Sequence, residues 1–505
     1  MKEHSPNAAA GRANARVEAA ESPPGAATST VDLGIHDRVY IDGSWVAPHD
    51  AGVLIDVIDS ATEQVMGRVA SAGPRDVDRA VAAARAAAPE WSRASPAERA
   101  GFLRRVADGL ETRTDVLAET IAREVGTAKH IAVNVQVGFP ISLLRIAADL
   151  VESLAFEEQV GTSVVIKEAV GVVACITPWN FPLTQVVSKV ASALAAGCTL
   201  IVKPSREAPL SVCALAEVVE AAGLPAGVFN LLNGSGPVIG AALATHPEVD
   251  MISFTGSTEI GRHIAALAAR GVKRTTLELG GKSPTLILDD ADARAAVEDG
   301  LARAFLNSGQ TCSALTRMLV PRARLDEFER AAIEAVAQFR VGDPLDARTR
   351  IGPLVSATQR DSVRAHIAAG VESGAKLLTG GAAAPESFPV GYYVTPTIFS
   401  EVDSRMQIAR EEIFGPVLAM LPYDDEAEAV RIANDTIYGL AAGVWSDSRE
   451  RAEAVARRLV AGQVHINGGA FNPQAPFGGF KQSGYGRERG KFGIEEFLEL
   501  KSLQF

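Results

Sequence analysis

From residue 38 onward, apolar residues recur with two alternating spacings, which indicates a succession of helices and strands. Helical spacing covers residues 77–88, and Ser95-Pro96-Ala97-Glu98 forms a capping-box pattern that opens a helix through Leu110. Further on, helical patterns at 185–196, 211–222 and 238–244 alternate with short apolar runs. These runs predict buried strands at Val172–Ile176, Thr199–Val202, Val228–Leu232 and Met251–Phe254. The rhythm is typical of right-handed crossovers over a parallel sheet.

A second α/β series follows the glycine pair Gly280–Gly281, which predicts a domain boundary near residue 280. Its strands are predicted near 285–288 and 318–320, and its long helices at 326–339 and 358–373. The last apolar run, Phe497–Leu503, predicts a strand. This strand is expected to pair with another strand, and a strand of a partner subunit is one candidate. The predicted fold class is therefore α/β.

Charge and composition narrow the choice of partners. The chain has 61 Asp and Glu against 49 Lys and Arg, a formal charge of −12, which argues against nucleic acid or an anionic membrane as partner. Four cysteines, none at C-x-x-C spacing, argue against a disulfide scaffold or structural zinc, so no metal site is predicted.

The first 34 residues are rich in Ala, Ser, Pro and Gly and lack the apolar core of a secretory signal, so they predict a disordered tail. No run reaches the roughly 18 uninterrupted apolar residues of a membrane span. A cytoplasmic location is the prediction.

Asn180 lies in Ile176-Thr177-Pro178-Trp179-Asn180-Phe181-Pro182, directly after a predicted strand. Ligands of open α/β sheets bind at the carboxyl ends of the strands. An asparagine there can donate an amide N–H to a developing oxyanion. The alternative is a structural turn with two prolines.

The segment 254–261 also runs from a strand through glycine to a helix. Backbone N–H groups at such a helix start can bind a pyrophosphate. The spacing departs from G-x-G-x-x-G, so a structural tight turn remains the alternative.

Glu278 stands between Leu277 and Leu279. Poor solvation of a carboxylate raises its pKa and suits it to general-base chemistry. An exposed glutamate at a strand end is the other interpretation.

Cys312 lies in the polar, glycine-containing segment Asn307-Ser308-Gly309-Gln310-Thr311-Cys312-Ser313, which predicts an accessible, reactive thiol. Cys175, Cys198 and Cys213 lie in or beside apolar elements and are predicted to be buried structural cysteines.

Taken in order, these segments resemble the aldehyde dehydrogenase superfamily from about residue 36 to the C-terminus. The gap of 34 residues between Glu278 and Cys312 agrees with that family. Further matches are Lys203-Pro204-Ser205, Glu411-Glu412-Ile413-Phe414-Gly415-Pro416 and Pro476-Phe477-Gly478-Gly479-Phe480-Lys481-Gln482-Ser483-Gly484. Within the superfamily the chain looks like a hydrolytic, broad-range enzyme.

The resemblance implies a catalytic role for five residues. The thiolate of Cys312 would attack an aldehyde, with the oxyanion held by Asn180 and the Cys312 backbone N–H. Hydride then leaves to the nicotinamide, and Glu278 activates the water that hydrolyses the thioester. Lys189 and Glu488 match positions proposed to relay the proton outward; an ordinary surface pair is their alternative.

The resemblance also implies an NAD⁺ or NADP⁺ site without a metal. Lys203 would bind the adenosine ribose, Gly256 and Ser257 the pyrophosphate, and Glu412 the nicotinamide ribose, with Phe414 beside it. The remaining predicted cofactor-binding positions are Thr177, Trp179, Ser205, Arg206, Gly261 and Leu279.

The family fold would divide the chain into three parts after the tail. Residues 35–147 and 168–279 would form the dinucleotide-binding domain, 280–484 the catalytic domain, and 148–167 with 485–505 an oligomerisation arm. A homodimer or homotetramer follows from that arm.

Two other functions remain open. A CoA-acylating semialdehyde dehydrogenase typically lacks the glutamate base, whereas Glu278 is present. A catalytically inactive structural relative is disfavoured by the joint presence of Cys312, Glu278, Asn180 and Glu412.

The sequence departs from the family at Arg206, where NAD-preferring members usually carry glutamate after Lys-Pro-Ser. A guanidinium can pair with a 2′-phosphate, which predicts that NADP⁺ is accepted. Alternatively, Arg206 pairs with Glu207 and the enzyme uses NAD⁺.

The aldehyde tunnel is predicted to be roomy and mixed, with neither an arginine for a terminal carboxylate nor an aromatic cage for a quaternary amine. Its expected lining is Phe181, Gln185, Ser188, Leu306, Thr311 and 468–471.

Overall fold

The structure is a computed structural model that describes residues 34–49 and 53–505. All but the last residue of the predicted N-terminal tail lie outside the described residues. Four sheets and the helices that cover them make up the described part of the chain.

An eight-stranded sheet has a parallel centre of five strands with antiparallel edges. The strands Val172–Ile176, Thr199–Lys203, Phe229–Leu231 and Met251–Thr255 confirm the predicted ones to within one residue at each end, and all of their side chains are buried. In spatial order the sheet runs Gly484–Tyr485, Arg274–Glu278, Met251–Thr255, Val172–Ile176, Thr199–Lys203, Phe229–Leu231, Val39–Ile41 and Ser44–Val46.

The strand order of this sheet reverses beside Val172–Ile176. Its two neighbours, Thr199–Lys203 and Met251–Thr255, follow it on opposite sides. Loops after such a central strand diverge to the two faces and leave a crevice at its carboxyl end. Asn180 and Ser257 both stand in loops that leave this edge.

A seven-stranded sheet carries the second α/β series and is parallel except at one edge. Strands predicted near 285–288 and 318–320 are present, the latter longer than predicted because its flanking residues are also buried. In spatial order the strands are Lys376–Thr379, Thr397–Ser400, Val417–Tyr423, Arg317–Pro321, Pro284–Ile287, Ala441–Trp445 and Gln463–Ile466.

Two small sheets complete the strands. One joins Ile35–His36, Val65–Ala70 and Leu54–Ile58. The other is antiparallel and joins Leu498–Gln504, Ser163–Ala169 and Glu157–Val160. The C-terminal strand therefore pairs within its own chain, and most of its residues remain exposed.

The predicted capping box is confirmed. Ser95 accepts the Glu98 backbone N–H, and the Glu98 carboxylate accepts the Ser95 N–H. The α-helices comprise Pro74–Trp91, Pro96–Glu111, Thr114–Val125, Lys129–Ile131, Gly138–Ser153, Pro182–Ala196, Leu210–Ala221, Ala241–Thr245, Thr258–Ala269, Ala293–Ala304, Leu325–Val336, Ala357–Glu372, Gln407–Arg410, Glu426–Asn434, Arg449–Ala456 and Gly490–Glu495.

The helix predicted at 238–244 is correct only in part, because residues Gly236–Gly240 form a π-helix before the α-helix begins.

A second π-helix, Ala132–Val137, lies within a continuous helical segment 129–153. That segment is long and apolar enough to cross a membrane, but half of its most apolar window is buried in the protein, and it contributes residues such as Leu144 and Val151 to the core. It is the core helix of a folded domain. Short 3₁₀ turns occur at Leu306–Gly309, Arg322–Arg324 and Lys481–Ser483.

The domain limits predicted from the family remain a prediction. The helix ending at Ser153 occupies the first residues assigned to the arm, and Tyr485 pairs with Leu277 in the eight-stranded sheet.

Candidate active site

Cys312 follows a turn with three successive residues in the left-handed region. Asn307, Ser308 and Gly309 have φ angles of 55°, 58° and 75°. Two non-glycine residues in this region store strain, which persists only where neighbouring contacts hold it. A Cβ on Gly309 would lie 2.1 Å from the Gly415 carbonyl oxygen, so this position also requires glycine.

Hydrogen bonds from several elements hold that turn. The Asn307 side chain accepts from the Thr127 hydroxyl at 2.6 Å and donates to the Asn180 carbonyl at 2.8 Å. Gln136 donates to the same carbonyl at 2.9 Å. The loops that carry Asn180 and Cys312 are thereby tied together, and nothing in the spacing of Thr127 or Gln136 along the sequence indicated this role.

The Asn180 side chain is buried, and its amide nitrogen donates to the Gln310 carbonyl at 3.0 Å. A primary amide has two N–H groups. Among the described residues, neither the second Asn180 N–H nor the backbone N–H of Cys312 has an acceptor. Both donors are available to an oxyanion.

Cys312 is partly exposed, whereas the other three cysteines are buried, as predicted. Its surroundings raise the pKa of the thiol to about 12, first through burial and then through the carboxylates of Glu412 and Glu278. The resting thiol is therefore protonated, and its attack on an electrophile requires a base.

Glu278 is 3% exposed, and neither carboxylate oxygen has a hydrogen-bond partner among the described residues. Burial raises its pKa well above the ordinary range, and the neighbouring Glu488 raises it further. This agrees with the poor solvation predicted from its leucine neighbours. A Cβ on Gly478 would lie 2.7 Å from Glu278 Oε1, so the glycine-rich loop closes over the carboxylate.

Lys189 and Glu488 form an ion pair of 2.5 Å between helix 182–196 and the C-terminal segment. Their side chains are 1% and 7% exposed, so the alternative of an ordinary surface pair is wrong. A buried pair behind Glu278 influences that carboxylate directly: Glu488 raises its pKa and Lys189 lowers it.

Two cavities meet at Cys312. The first, here the strand-end cavity, has a volume of about 220 Å³. It is lined by Pro178, Trp179, Asn180, Gln185, Thr255, Gly256, Ser257, Glu278, Leu279, Gly280, Cys312, Gln359, Glu412 and Phe414. The structure thus brings nine predicted site residues into one cavity.

Two aromatic rings and a buried carboxylate form part of the wall of the strand-end cavity. The Trp179 and Phe414 rings stand edge to face with centroids 5.4 Å apart. The Glu412 carboxylate accepts the Gly281 N–H at 3.2 Å, and burial raises its pKa to about 7. A Cβ on Gly280 would lie 2.0 Å from Glu412 Oε2, so only glycine leaves space for this carboxylate.

Five predicted cofactor-binding residues do not line this cavity: Thr177, Lys203, Ser205, Arg206 and Gly261. Lys203 lies beside Ile176 at the same sheet edge, and burial lowers its pKa to about 8. Arg206 is exposed and forms an ion pair with Glu207 at 3.0 Å. This pairing is the predicted alternative to binding a 2′-phosphate.

The second cavity, here the apolar cavity, has a volume of about 460 Å³. Of the predicted tunnel residues, Phe181, Gln185, Leu306, Thr311 and Phe471 line it. Ser188 does not, because it faces a small separate cavity behind helix 182–196. Asn134, Val135, Phe139, Ser142, Thr184, Arg303, Cys312, Ser313, Leu315, Gln463, His465, Pro473, Phe477 and Arg489 complete the lining.

The prediction of a tunnel without an arginine is wrong. Arg303 and Arg489 both line the apolar cavity, and the Phe139, Phe471 and Phe477 rings surround Arg489. Arg489 and the three rings come from helix 138–153 and from the segment 471–489, which are remote in sequence from Cys312, whereas Arg303 lies in helix 293–304. The position of Arg489 directly after Glu488 was the one signal that could have revealed it.

A family model described as the aldehyde dehydrogenase family matches residues 45–503. The chain belongs to the aldehyde dehydrogenase family. The predicted family and the α/β fold that accompanies it are confirmed, and the chain is an oxidoreductase of this family. Among the described residues, no group of His, Cys, Asp or Glu side chains could hold a metal ion.

Relatives support the assignment along nearly the whole chain. A 3-succinoylsemialdehyde-pyridine dehydrogenase of a Pseudomonas species is 49% identical, over 92% of this chain and 97% of its own. Aldehyde dehydrogenase C of Pseudomonas syringae, solved with NAD⁺ and octanal, superposes with a TM-score of 0.92 at 50% identity, covering 93% and 96% of the two chains. An aldehyde dehydrogenase of Mycobacterium tuberculosis solved with NAD⁺ superposes with a TM-score of 0.91 at 41% identity, covering 94% and 98%.

Proposed function

We propose that this aldehyde dehydrogenase oxidises an aldehyde to the carboxylate with NAD⁺ and water, through a thioester on Cys312. The observation that carries the proposal is the place of Cys312 where the strand-end cavity and the apolar cavity meet. A nucleophile at such a junction reaches an aldehyde on one side and a hydride acceptor on the other.

The first step is attack of Cys312 Sγ on the aldehyde carbon. The thiol proton leaves to solvent through the strand-end cavity, which the thiol lines, and the sulfur then attacks as the thiolate. The new C–S bond forms as the carbonyl π electrons move to oxygen. The oxyanion then accepts the second Asn180 N–H and the Cys312 backbone N–H, the two donors without another acceptor among the described residues.

The strand-end cavity fits the nicotinamide end of a dinucleotide. Trp179 and Phe414 supply flat walls, Glu412 supplies an acceptor for ribose hydroxyls, and Gly280 leaves the space beside it. The buried Thr255 hydroxyl has no partner among the described residues and faces the same cavity. A nicotinamide held by these residues would supply the hydride acceptor that the collapse of the oxyanion to a thioester needs.

Hydrolysis of the thioester completes the reaction. Glu278 takes a proton from water, whose oxygen forms a bond to the acyl carbon while the C–S bond breaks and Cys312 is restored. The presence of this base favours water over CoA as the acyl acceptor. The buried pair of Lys189 and Glu488 lies behind Glu278 and offers the proton a route away from the site.

NAD⁺ is the cofactor proposed here, with NADP⁺ as the weaker one. The Arg206 guanidinium already has a carboxylate partner in Glu207, which a 2′-phosphate would have to displace. The related enzymes described above were solved with NAD⁺.

A cytoplasmic homo-oligomer is the proposed form of the protein. The small sheet of 157–160, 163–169 and 498–504 is largely exposed on its outer positions, Leu500 being 70% exposed. Apolar side chains on an exposed edge strand favour pairing with another copy.

Rapid mixing with NAD⁺ and an aldehyde tests the proposed chemistry. The wild-type protein should give a burst of NADH absorbance equal to the number of active sites, followed by steady turnover. Cys312→Ala should bind NAD⁺ normally and give neither phase. Turnover by Cys312→Ala would refute the thioester mechanism, and turnover that required added CoA would identify a CoA-acylating enzyme instead.

A further inference from the structure

The Arg489 guanidinium occupies a cage of three phenylalanine rings in the wall of the apolar cavity. It lies 4.1 Å from the centroid of Phe477, 4.7 Å from that of Phe471 and 5.0 Å from that of Phe139. Arg489 is only 9% exposed. Ring faces attract a cation and fix its orientation, but they accept no conventional hydrogen bond from its N–H groups.

This cation has no direct ion-pair partner among the described residues. Among the described residues, none lies within ion-pair distance of Arg489, and none accepts a hydrogen bond from its side chain; its buried Nε is wholly without a partner. A guanidinium has five N–H donors. The buried Nε–H is left unpaired, which is costly, and the terminal N–H groups have no acceptor in the part of the chain that the structure describes. The free donors therefore indicate a ligand that is absent from the protein itself.

The other arginine of the apolar cavity shows the contrast. Arg303 donates twice to Asp299, at 2.8 and 2.9 Å, and also to the carbonyls of Gly468 and Gly469. Its charge is paired with Asp299, and its Nη2 group holds the loop that carries Phe471. Of the two arginines that line the cavity, Arg489 is the one without an ion-pair partner among the described residues.

Neither carboxylate near Arg489 forms an ion pair with it. Glu488 pairs with Lys189 at 2.5 Å. Burial raises the pKa of Glu278 and so disfavours its charged form, and neither of its oxygens accepts a hydrogen bond from a described residue. The guanidinium beside the nucleophile is thus left without a direct anionic partner.

The backbone at Arg489 is also held in an unusual conformation, with φ of 74° and ψ of 157°. Its carbonyl accepts the Gly493 N–H at 2.8 Å as helix 490–495 begins. Phe477 and Glu488 exchange backbone hydrogen bonds just before it. Strain of this kind, held by the surrounding contacts, is typical of residues that must present a side chain to a ligand.

We propose that Arg489 binds a carboxylate at the far end of the substrate, so that the preferred substrates are oxo acids with an aldehyde at one end and a carboxylate at the other. The inference rests on the proposed function, because it places the aldehyde at Cys312. The phenylalanine cage packs against the carbon chain, and the guanidinium pairs with the carboxylate through charge-assisted hydrogen bonds.

A matched series of substrates tests this assignment. At each of three chain lengths, kcat/KM is measured for the ω-oxo acid, its methyl ester and the unsubstituted alkanal. The ester keeps the carbonyl acceptor but loses the charge, and the alkanal loses both. The acid should exceed the ester at the best length by on the order of 10- to 100-fold, the range for one hydrogen-bonded charge pair.

The acid-to-ester ratio is then measured in Arg489→Gln, Arg489→Lys and Arg303→Gln. It should fall to about one or below in Arg489→Gln, fall partly in Arg489→Lys, and stay high in Arg303→Gln even if the overall rate drops. Because the readout is a ratio within one protein, partial inactivation leaves it interpretable. If Arg489→Gln does not fold, the wild-type ratio and Arg489→Lys decide the matter.

Equal rates for acid and ester in the wild-type protein would overturn the proposal, as would an unchanged ratio in Arg489→Gln. Both failures are distinct from failure of the proposed function, since alkanals would still give an NADH burst. Absence of a burst with every aldehyde would instead refute the proposed function.

Discussion

The side-chain amide of Asn180 donates to the backbone carbonyl of Gln310, two residues before the nucleophile Cys312, at 3.0 Å. The hydrogen bond made by one N–H of this amide thus fixes the direction in which the other N–H points. The position of an oxyanion donor is set by the same contact that holds the cysteine loop, so the two cannot move independently.

Asn180→Ala should lower kcat by on the order of 10²–10³ because it removes one preorganised oxyanion donor. The affinity for NAD⁺ should change little. Asn134→Ala is the control: that amide lines the apolar cavity, which meets the strand-end cavity at Cys312, but it donates to the His130 carbonyl. Equal losses in the two variants would indicate a general disturbance of the cavity rather than loss of an oxyanion donor.

Glu278→Gln should keep the NADH burst while steady turnover collapses, because the burst precedes hydrolysis. A burst reduced as strongly as turnover would mean that the carboxylate is already required when the thiol loses its proton. In the wild-type protein, the base is active only when ionised, and burial raises its pKa. Steady turnover should therefore fall as the pH decreases through a value well above that of an ordinary glutamate.

Changes to the buried pair should move that pH dependence in opposite directions. Glu488 raises the pKa of Glu278, so Glu488→Gln should shift the acidic limb of the kcat profile to lower pH. Lys189 lowers the same pKa, so Lys189→Met should shift the limb to higher pH. Thermal unfolding of each variant separates these shifts from loss of stability, since Lys189→Met leaves a buried carboxylate unpaired. Parallel shifts would contradict an electrostatic role.

Arg206→Glu should leave kcat/KM for NAD⁺ near the wild-type value and lower it for NADP⁺, because a carboxylate repels the 2′-phosphate. The ratio of the two values, measured for both proteins with one aldehyde, checks this. A wild-type preference for NADP⁺ would show that Arg206 leaves Glu207 to bind the phosphate.

Deletion of residues 501–505 should weaken self-association, because it removes most of the exposed strand that ends the chain. Light scattering after size-exclusion chromatography gives the mass in solution. The substitution Leu500→Ser is a milder version that keeps the backbone pairing with 163–169. An unchanged mass in both variants would show that this strand is not part of the interface between subunits.

The local features of the fold could be predicted because they depend on neighbours in sequence. Fully apolar runs predicted the central strands, and the capping box at Ser95 predicted where a helix begins. The core of the site, Asn180, Glu278 and Cys312, could be predicted from three separate motifs and their resemblance to a family. In each case the chemistry was visible within a few residues.

The features that could not be predicted depend on contacts between residues that are distant in sequence. Gln136 and Asn307, which support Asn180, lie 44 and 127 residues from it, and Phe139 of the cage lies more than a hundred residues from Arg489. The burial of Lys189 and Glu488 likewise follows from packing of helix 182–196 against the C-terminal segment. Charged residues are usually exposed, so their burial could not be foreseen from composition.

The π-helix at 132–137 has a consequence for how substrate preference can change. A π-helix has one more residue per turn than an α-helix. Asn134 and Val135 in this π-helix line the apolar cavity, and Gln136 donates a hydrogen bond to the loop that carries Asn180. Loss of a single residue there would rotate one flank of the segment relative to the other by about 100°. Phe139 would then leave the cage of Arg489 or Gln136 would leave Asn180. A one-residue deletion in this turn would thus reshape the cavity more than most substitutions, so length variation here is a direct route to a new specificity.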